Sequence, residues 1–232
     1  MEAPHTDLAD GPPSGAELDA SVLRGLGSLV QAGPGWLDRL LVDAARFGII
    51  VLLVALAAGC WVRVRHTERG ARAAGAMGAL LWAPVAAGIA FAVNAPIKGF
   101  VRRERPAAAD VAGVDPLLPS GGWSFVSDHA AVAAALAVAV FIAHRGFGTV
   151  ALGLALLEGV LRVGMEVHYP TDVVGGFALG AATALLLGPV AMGRLSWLVR
   201  RLGLVPDAEP DRTQPGPPAW AADARADDDL AA

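Results

Sequence analysis

Lysine and cysteine are almost missing from this chain of 232 residues: each occurs once, as Lys98 and Cys60. A single cysteine excludes a disulfide framework and any cysteine-based metal site. Its place in an apolar run makes it a small buried hydrophobe. The lack of lysine beside abundant arginine points to a coding bias that put arginine wherever arginine would serve. A position that keeps lysine is then a candidate for needing a compact ammonium rather than a guanidinium fork. Also missing is a basic stretch ahead of an apolar core at the start: residues 1–14 are polar and acidic and carry Pro and Gly, so they are not read as a cleavable signal peptide. Net charge is a mild −4 and unevenly placed, which makes it weakly diagnostic.

Apolar residues are in excess. They make up 55% of the chain, and the mean hydropathy is +0.52. That load is too high for an ordinary soluble domain and predicts an all-α, polytopic transmembrane helical bundle. The length suits one bundle. Residues 15–205 form the expected membrane-embedded domain, between an N-terminal tail (1–14) and a Pro-, Asp- and Ala-rich tail (206–232) that are both expected to be disordered. Five spans are counted, at about 44–64, 72–97, from 127 onward, 147–163 and 171–192. Ahead of them, residues 16–42 carry apolar side chains at helical spacing (Leu18, Val22, Leu26, Leu29, Val30), interrupted by Gly33-Pro34-Gly35. This segment is expected to lie as an amphipathic helix at the membrane interface.

Arginine placement sets the expected topology. Arg63, Arg65, Arg69 and Arg72 lie between spans one and two, Arg145 follows span three, and Arg194, Arg200 and Arg201 follow span five. These positions share one side, expected to be cytoplasmic together with the C-terminal tail. Segments 98–127 and 163–171 then face the extracytoplasmic side of the cell membrane.

Three pieces of chemistry fall on that face. Lys98 and Arg105 stand at the end of span two with six residues between them, followed by Pro106, which turns the chain away. Ser127-Asp128-His129 opens span three, with Ser127 a good N-cap and the helix start an anion site. Arg162, His168 and Asp172 bridge spans four and five, with Asp172 in the first turn after Pro170. The cations neutralise a phosphoryl group. Asp172 can fix the His168 tautomer and leave the other ring nitrogen as a nucleophile. Glu158 lies one helical turn before Arg162 and is expected to aim it. Arg102 and Arg103 are read equally well as snorkelling anchors, and His5, His66 and His144 receive no role. The Gly176-x-x-x-Gly180 pattern is expected to serve tight packing within the monomer.

The pattern K-x6-RP, S-x-H, R-x5-H-x3-D resembles the three-part signature of the type 2 phosphatidic acid phosphatase (PAP2) superfamily, across roughly residues 36–195. The stretches SFVSDHA and VHYPTDVVGG are most similar to its bacitracin-resistance-type undecaprenyl-diphosphatase branch. The resemblance implies a helical-bundle core shared with vanadium haloperoxidases, a phosphohistidine intermediate, and neither metal nor cofactor. It makes His168 the nucleophile, Asp172 its orienting partner, and His129 the acid that protonates the leaving group. Lys98, Arg105, Ser127, Asp128 and Arg162 are assigned to the phosphate-binding shell, and Glu158 stands behind Arg162. Val126 and Leu161 replace the family's usual proline and serine. The expected substrate is a polyprenyl diphosphate. Alternatives are a broad phosphatidate or phosphatidylglycerophosphate phosphatase, a lipid-linked phosphotransferase, and a non-catalytic transporter or scaffold. No nucleic-acid partner is expected, and oligomeric state is not legible.

Overall fold

A computed structural model describes residues 14–109, 111–118 and 121–205. Both expected tails (1–14 except Ser14, and 206–232) lie outside the described residues. The chain forms α1 (Gly15–Gln31), α2 (Gly35–Asp43), a π-helical turn (Ala44–Gly48), α3 (Ile49–Thr67), α4 (Gly70–Val101), α5 (Asp128–Ala143), α6 (Arg145–Gly164) and α7 (Pro170–Arg201). Four of these helical stretches are long and apolar enough to cross a membrane: Gly35–Thr67, Gly70–Val101, Arg145–Gly164 and Pro170–Arg201.

Two expectations need correction. The segment 16–42 is not one interfacial unit. Pro34 starts a new helix whose axis runs through the π turn into α3, a continuous 33 residues. Nothing between Trp36 and Thr67 breaks a helix, so the polar residues Asp38, Arg39 and Asp43 sit on an extension of the span, which at 1.5 Å per residue reaches roughly 50 Å. Span three is also shorter than the rule allows: α5 has 16 residues, about 24 Å. It starts at the Ser127 cap and stops at His144, which itself caps α6 by accepting the Phe147 N–H at 3.4 Å.

This short helix is the middle of the bundle. α5 packs on α4, α6 and α7, with α3 along its remaining side. Half of its 16 residues are alanine, and Ala130, Ala131, Ala133, Ala135, Ala137 and Ala139 are fully buried. Small residues let helix backbones approach closely where lipid offers no hydrophobic gain for association. Gly176 and Gly180 of α7 take this furthest. A Cβ at Gly180 would stand 2.0 Å from the Ala131 carbonyl oxygen, and one at Gly176 would stand 2.6 Å from that of Ser127. The Gly-x-x-x-Gly pattern therefore packs inside the monomer. Cys60 is buried, as its apolar run implied.

α1 lies across the ends of α6 and α7. Leu23 is fully buried against Ala130, Val163, Tyr169 and Val173, while Leu18, Val22 and Leu29 on its outer face are exposed. That double apolar character suits a helix between protein and bilayer interface.

Gly180→Ala is expected to lower the thermal midpoint of the detergent-solubilised protein by roughly 3–10 °C, the effect of about 1–3 kcal/mol of overpacking in a domain of this size. Gly193→Ala, which meets open space, leaves the midpoint within about 2 °C.

Candidate active site

One end of the bundle collects the C-termini of α4 and α6 and the N-termini of α5 and α7. α4 stops at Arg102, whose backbone is left-handed at φ 50°. The following loop carries Arg103, Arg105 and Ser124 back over the start of α7. The three motif stretches meet pairwise here. Arg105 of the first reaches His168 of the third, Lys98 of the first pairs with Asp128 of the second, and the Ser127 N–H of the second donates to the Asp172 carbonyl at 3.0 Å.

Asp172 is the most thoroughly engaged group. Its side chain is 0% exposed, and a buried carboxylate must find donors. Oδ2 accepts the Tyr169 N–H at 3.0 Å and the Ser124 hydroxyl, and faces His168 Nδ1 at 3.5 Å. Oδ1 accepts from Arg103 at 2.8 Å. The His168 ring is thus held at both nitrogens, with Nδ1 toward Asp172 and Ser124, and Nε2 3.2 Å from an Arg105 amino group. Burial lowers the His168 pKa below the ordinary imidazole value; Asp172 opposes that shift, and the charges of Arg105 and Lys98 add to it. The neutral ring, with a lone pair on Nε2, is the stable form near pH 7.

The remaining expected residues stand on the loop and helices that meet at this end of the bundle. Arg105 also donates to the carbonyls of Val167 at 3.0 Å and of Gly121 and Gly122. Ser127 caps α5, its oxygen 3.5 Å from the Ala130 N. His129 stands in the first turn of α5, with Nε2 3.2 Å from the Arg46 carbonyl oxygen. Asp128, expected in the phosphate shell, turns its carboxylate onto Lys98 and onto Asn94 at 2.6 Å. An anion so placed holds the ammonium; it does not itself attract phosphate. Arg162 is buried, with Nε donating to Glu158 at 2.8 Å and a terminal nitrogen donating to the Ala45 carbonyl. Val126, where the family's proline was missing, offers its carbonyl to Asn94 at 2.9 Å.

Sequence reading missed four contributors. Arg103 is not a snorkelling anchor: it bonds Asp172, Asp19 and Thr171 and stacks on the Tyr169 ring at 3.9 Å. Ser124 and Asn94 had no motif to reveal them. Asp19 did carry a signal, because it shares the buried stripe of α1 with Leu23 and Gly27, and an acid on an apolar stripe requires a partner. Among the described residues no cluster of three or more His, Cys, Asp or Glu side chains is placed to ligate a metal ion.

A groove of about 210 Å³ opens beside His129, lined by Arg46, Phe47, Ile50, Phe91, Asp128 and Val132. Its walls are apolar apart from the end at the site. At the opposite end of the bundle, Glu68, Arg72 and His144 line a separate cavity.

Removing Glu158 strands the Arg162 guanidinium in the bundle. Glu158→Ala is expected to destabilise by about 3–5 kcal/mol, and Glu158→Gln by clearly less because an acceptor remains. Thermal unfolding in detergent checks the order.

Comparison with known proteins agrees with this geometry. The PAP2 superfamily model matches residues 79–194, half of the chain. A stretch of 86 residues is 35% identical to the bacitracin transport permease protein BcrC of Bacillus licheniformis, covering 37% of this chain and 42% of that protein. A stretch of 99 residues is 33% identical to phosphatidylglycerophosphatase B of Bacillus subtilis (strain 168), covering 38% and 46%. The matched stretches thus span less than half the length of either relative. The crystal structure of a transmembrane PAP2-type phosphatidylglycerolphosphate phosphatase from Bacillus subtilis superposes with a TM-score of 0.55 at 24% identity, over 76% of this chain and 87% of that one, and so shares its fold. With four helices fit to cross a bilayer and this family match over the helices that build the site, the chain is a membrane protein of the PAP2 superfamily.

Proposed function

We infer that this protein is a membrane lipid phosphatase that hydrolyses a polyprenyl diphosphate, of the undecaprenyl type, to the monophosphate and phosphate through a phosphohistidine on His168. The observation that carries the reading is the buried His168 ring, oriented by Asp172 at Nδ1 and presenting Nε2 to the Arg105 guanidinium. An anion that takes over the Arg105 N–H now on Nε2 frees that lone pair and is held next to it.

The terminal phosphate sits among Arg105, Lys98, Arg162 and the N-terminus of α5, where Ser127 fixes the helix start. His168 Nε2 bonds to phosphorus as the phosphorus–oxygen bond to the lipid monophosphate breaks, and His129 protonates the departing oxygen. A water oxygen then bonds to phosphorus as the N–P bond breaks, its proton passing to His129. Positioning and charge stabilisation supply most of the acceleration, as in phosphoryl transfer generally. Asp128 acts through Lys98, and Glu158 through Arg162. The groove beside His129 supports a lipid as the leaving group, because its apolar walls begin where the departing oxygen would stand. The site faces the extracytoplasmic side, a placement supported by the arginines at the other end of the bundle.

A second reading, a phosphatidylglycerophosphate phosphatase, is favoured by the relative and the solved structure that carry that name. The phosphate machinery serves both equally. Initial rates of phosphate release from a polyprenyl diphosphate, phosphatidylglycerophosphate and phosphatidate, measured on purified protein with a chelator present, separate them. The first reading expects the polyprenyl diphosphate to lead and the chelator to have no effect.

His168→Ala is expected to retain less than about 1% of phosphate release. Wild-type protein given phosphate-labelled substrate and denatured at alkaline pH should carry labelled phosphate that is stable to base and lost in acid, and the variant none. A variant that keeps substantial turnover removes His168 as nucleophile.

The attacking ring must be neutral. Because burial depresses its pKa, neutrality persists as pH falls below the ordinary imidazole value of about 6.5. The acid limb of kcat/KM is therefore expected below that value, and a limb above it contradicts the assignment.

A further inference from the structure

Asp172 and Arg103 form a charge pair that raises a difficulty for the chemistry just described. When His168 attacks phosphorus, its ring becomes cationic, and the carboxylate behind it must carry negative charge to stabilise that form. Arg103 lies on Asp172 Oδ1 at 2.8 Å, and a single arginine on a single buried carboxylate cancels that charge. The cancellation is incomplete because the same guanidinium is shared. Its other terminal nitrogen donates to Asp19 Oδ2 at 2.7 Å. Asp19 is only 6% exposed. It also accepts the Thr171 N–H at 3.1 Å and the Thr171 hydroxyl, and that hydroxyl in turn accepts from Arg103 at 2.6 Å. One cation therefore stands between two carboxylates, and Asp172, Arg103 and Asp19 together keep one net negative charge beside His168.

Asp19 comes from α1, outside the three motif stretches. The helix is held there at both ends. Leu23 fills the apolar pocket next to Asp19, and Gln31 at the far end donates to Glu166, whose carboxylate also accepts the Asp115 N–H at 2.7 Å. Glu166 adopts a left-handed backbone at φ 59° and packs directly on Gly27. With both ends tied, Asp19 is fixed on Arg103 and does not sweep through solvent.

We propose that Asp19 is a positioning residue for the reaction: by taking half of the Arg103 guanidinium, it leaves the charge of the Asp172 carboxylate incompletely cancelled at His168, and so makes the N-terminal helix part of the catalytic apparatus. The proposal rests on the reading of His168 as nucleophile. Other charges bearing on His168 are Lys98 of α4, Arg105 of the loop and Asp172 of α7, with His129 of α5 beyond; Arg162 of α6 bears on His129 and Arg105. None of these contacts Asp19, so its influence runs through Arg103 and Thr171.

The test uses the full chain in detergent and reads the His168 ring directly. Nitrogen-15 NMR titration of the histidines, assigned with His168→Asn, gives the His168 midpoint whether or not the protein turns over any chosen lipid. This separates failure of the proposal from failure of the phosphatase reading. Asp19→Asn removes one negative charge, leaves Arg103 wholly to Asp172, and is expected to lower the midpoint by roughly half a pH unit or more. In the Arg103→Gln background the same substitution is expected to move it by less than about 0.2. On whichever lipid phosphate the wild type hydrolyses, Asp19→Asn lowers kcat by about 5–20-fold with KM within about twofold. An unmoved midpoint, an equal shift in the Arg103→Gln background, or a loss expressed in KM alone overturns the proposal. Should Asp19→Asn not accumulate, Thr171→Val breaks the hydroxyl link while keeping every charge. A kcat reduced about threefold then supports the proposal, and an unchanged kcat overturns it.

Discussion

A fully buried carboxylate organises this end of the bundle. Asp172 is out of reach of water, and leaving such a charge unpaired in a membrane protein is prohibitive. Its donors come from its own helix start (the Tyr169 N–H), from the preceding turn (His168) and from two points far apart on one loop (Arg103 and Ser124). Satisfying one charge therefore fixes both ends of the loop between α4 and α5. The loop must bring Arg103 in at one side of the carboxylate and Ser124 at the other. The backbone bond from Ser127 to the Asp172 carbonyl then sets the two helix starts side by side. Chemistry and architecture share the same bonds here.

Those bonds hold their lengths because the helices beneath them cannot slide. α7 presents glycine where α5 presents carbonyl groups, with Gly176 against Ser127 and Gly180 against Ala131. Contacts this close leave one register, since displacement by a turn would bring a side chain where only hydrogen fits. The alanines of α5 extend the same logic toward α4. A short central helix made of small residues gives up side-chain packing volume and gains a fixed frame for four helix ends.

Much of this was legible before any coordinates, for reasons that differ between residues. His168, Asp172, Arg105 and Lys98 stand at fixed spacings around Pro106 and Pro170, and proline marks where helices stop and start, so linear order already implied a shared end of the bundle. The Glu158–Arg162 pair followed from helical periodicity alone. Arg103 did not, because it sits in an arginine-rich run at a membrane boundary, where spacing cannot tell an anchor from a ligand. Ser124 lies in a loop, whose path is set by the carboxylate it serves and not by any local pattern. The continuity of α2 with α3 was hidden by Asp38, Arg39 and Asp43. Polar residues read as the end of a membrane span, yet a helix needs a breaker to end, and the only one nearby is Gly33-Pro34.

The charges of the site also sort themselves by partner. Lys98 is held by Asp128, Arg162 by Glu158, and Arg103 by Asp172 and Asp19. Among the described residues, Arg105 is the one cation of these four that meets only carbonyl oxygens and an imidazole. A guanidinium bonded to neutral acceptors keeps its full charge for an incoming anion, whereas a cation already paired contributes less attraction but a fixed position. On the proposed reading the division is functional. Arg105 draws the phosphate onto the Nε2 face of His168, and the paired cations form a frame that needs no rearrangement when the phosphate arrives. Preorganised charge of this kind favours the transition state over the resting anion, because the frame is already arranged for the equatorial oxygens before they carry their full charge.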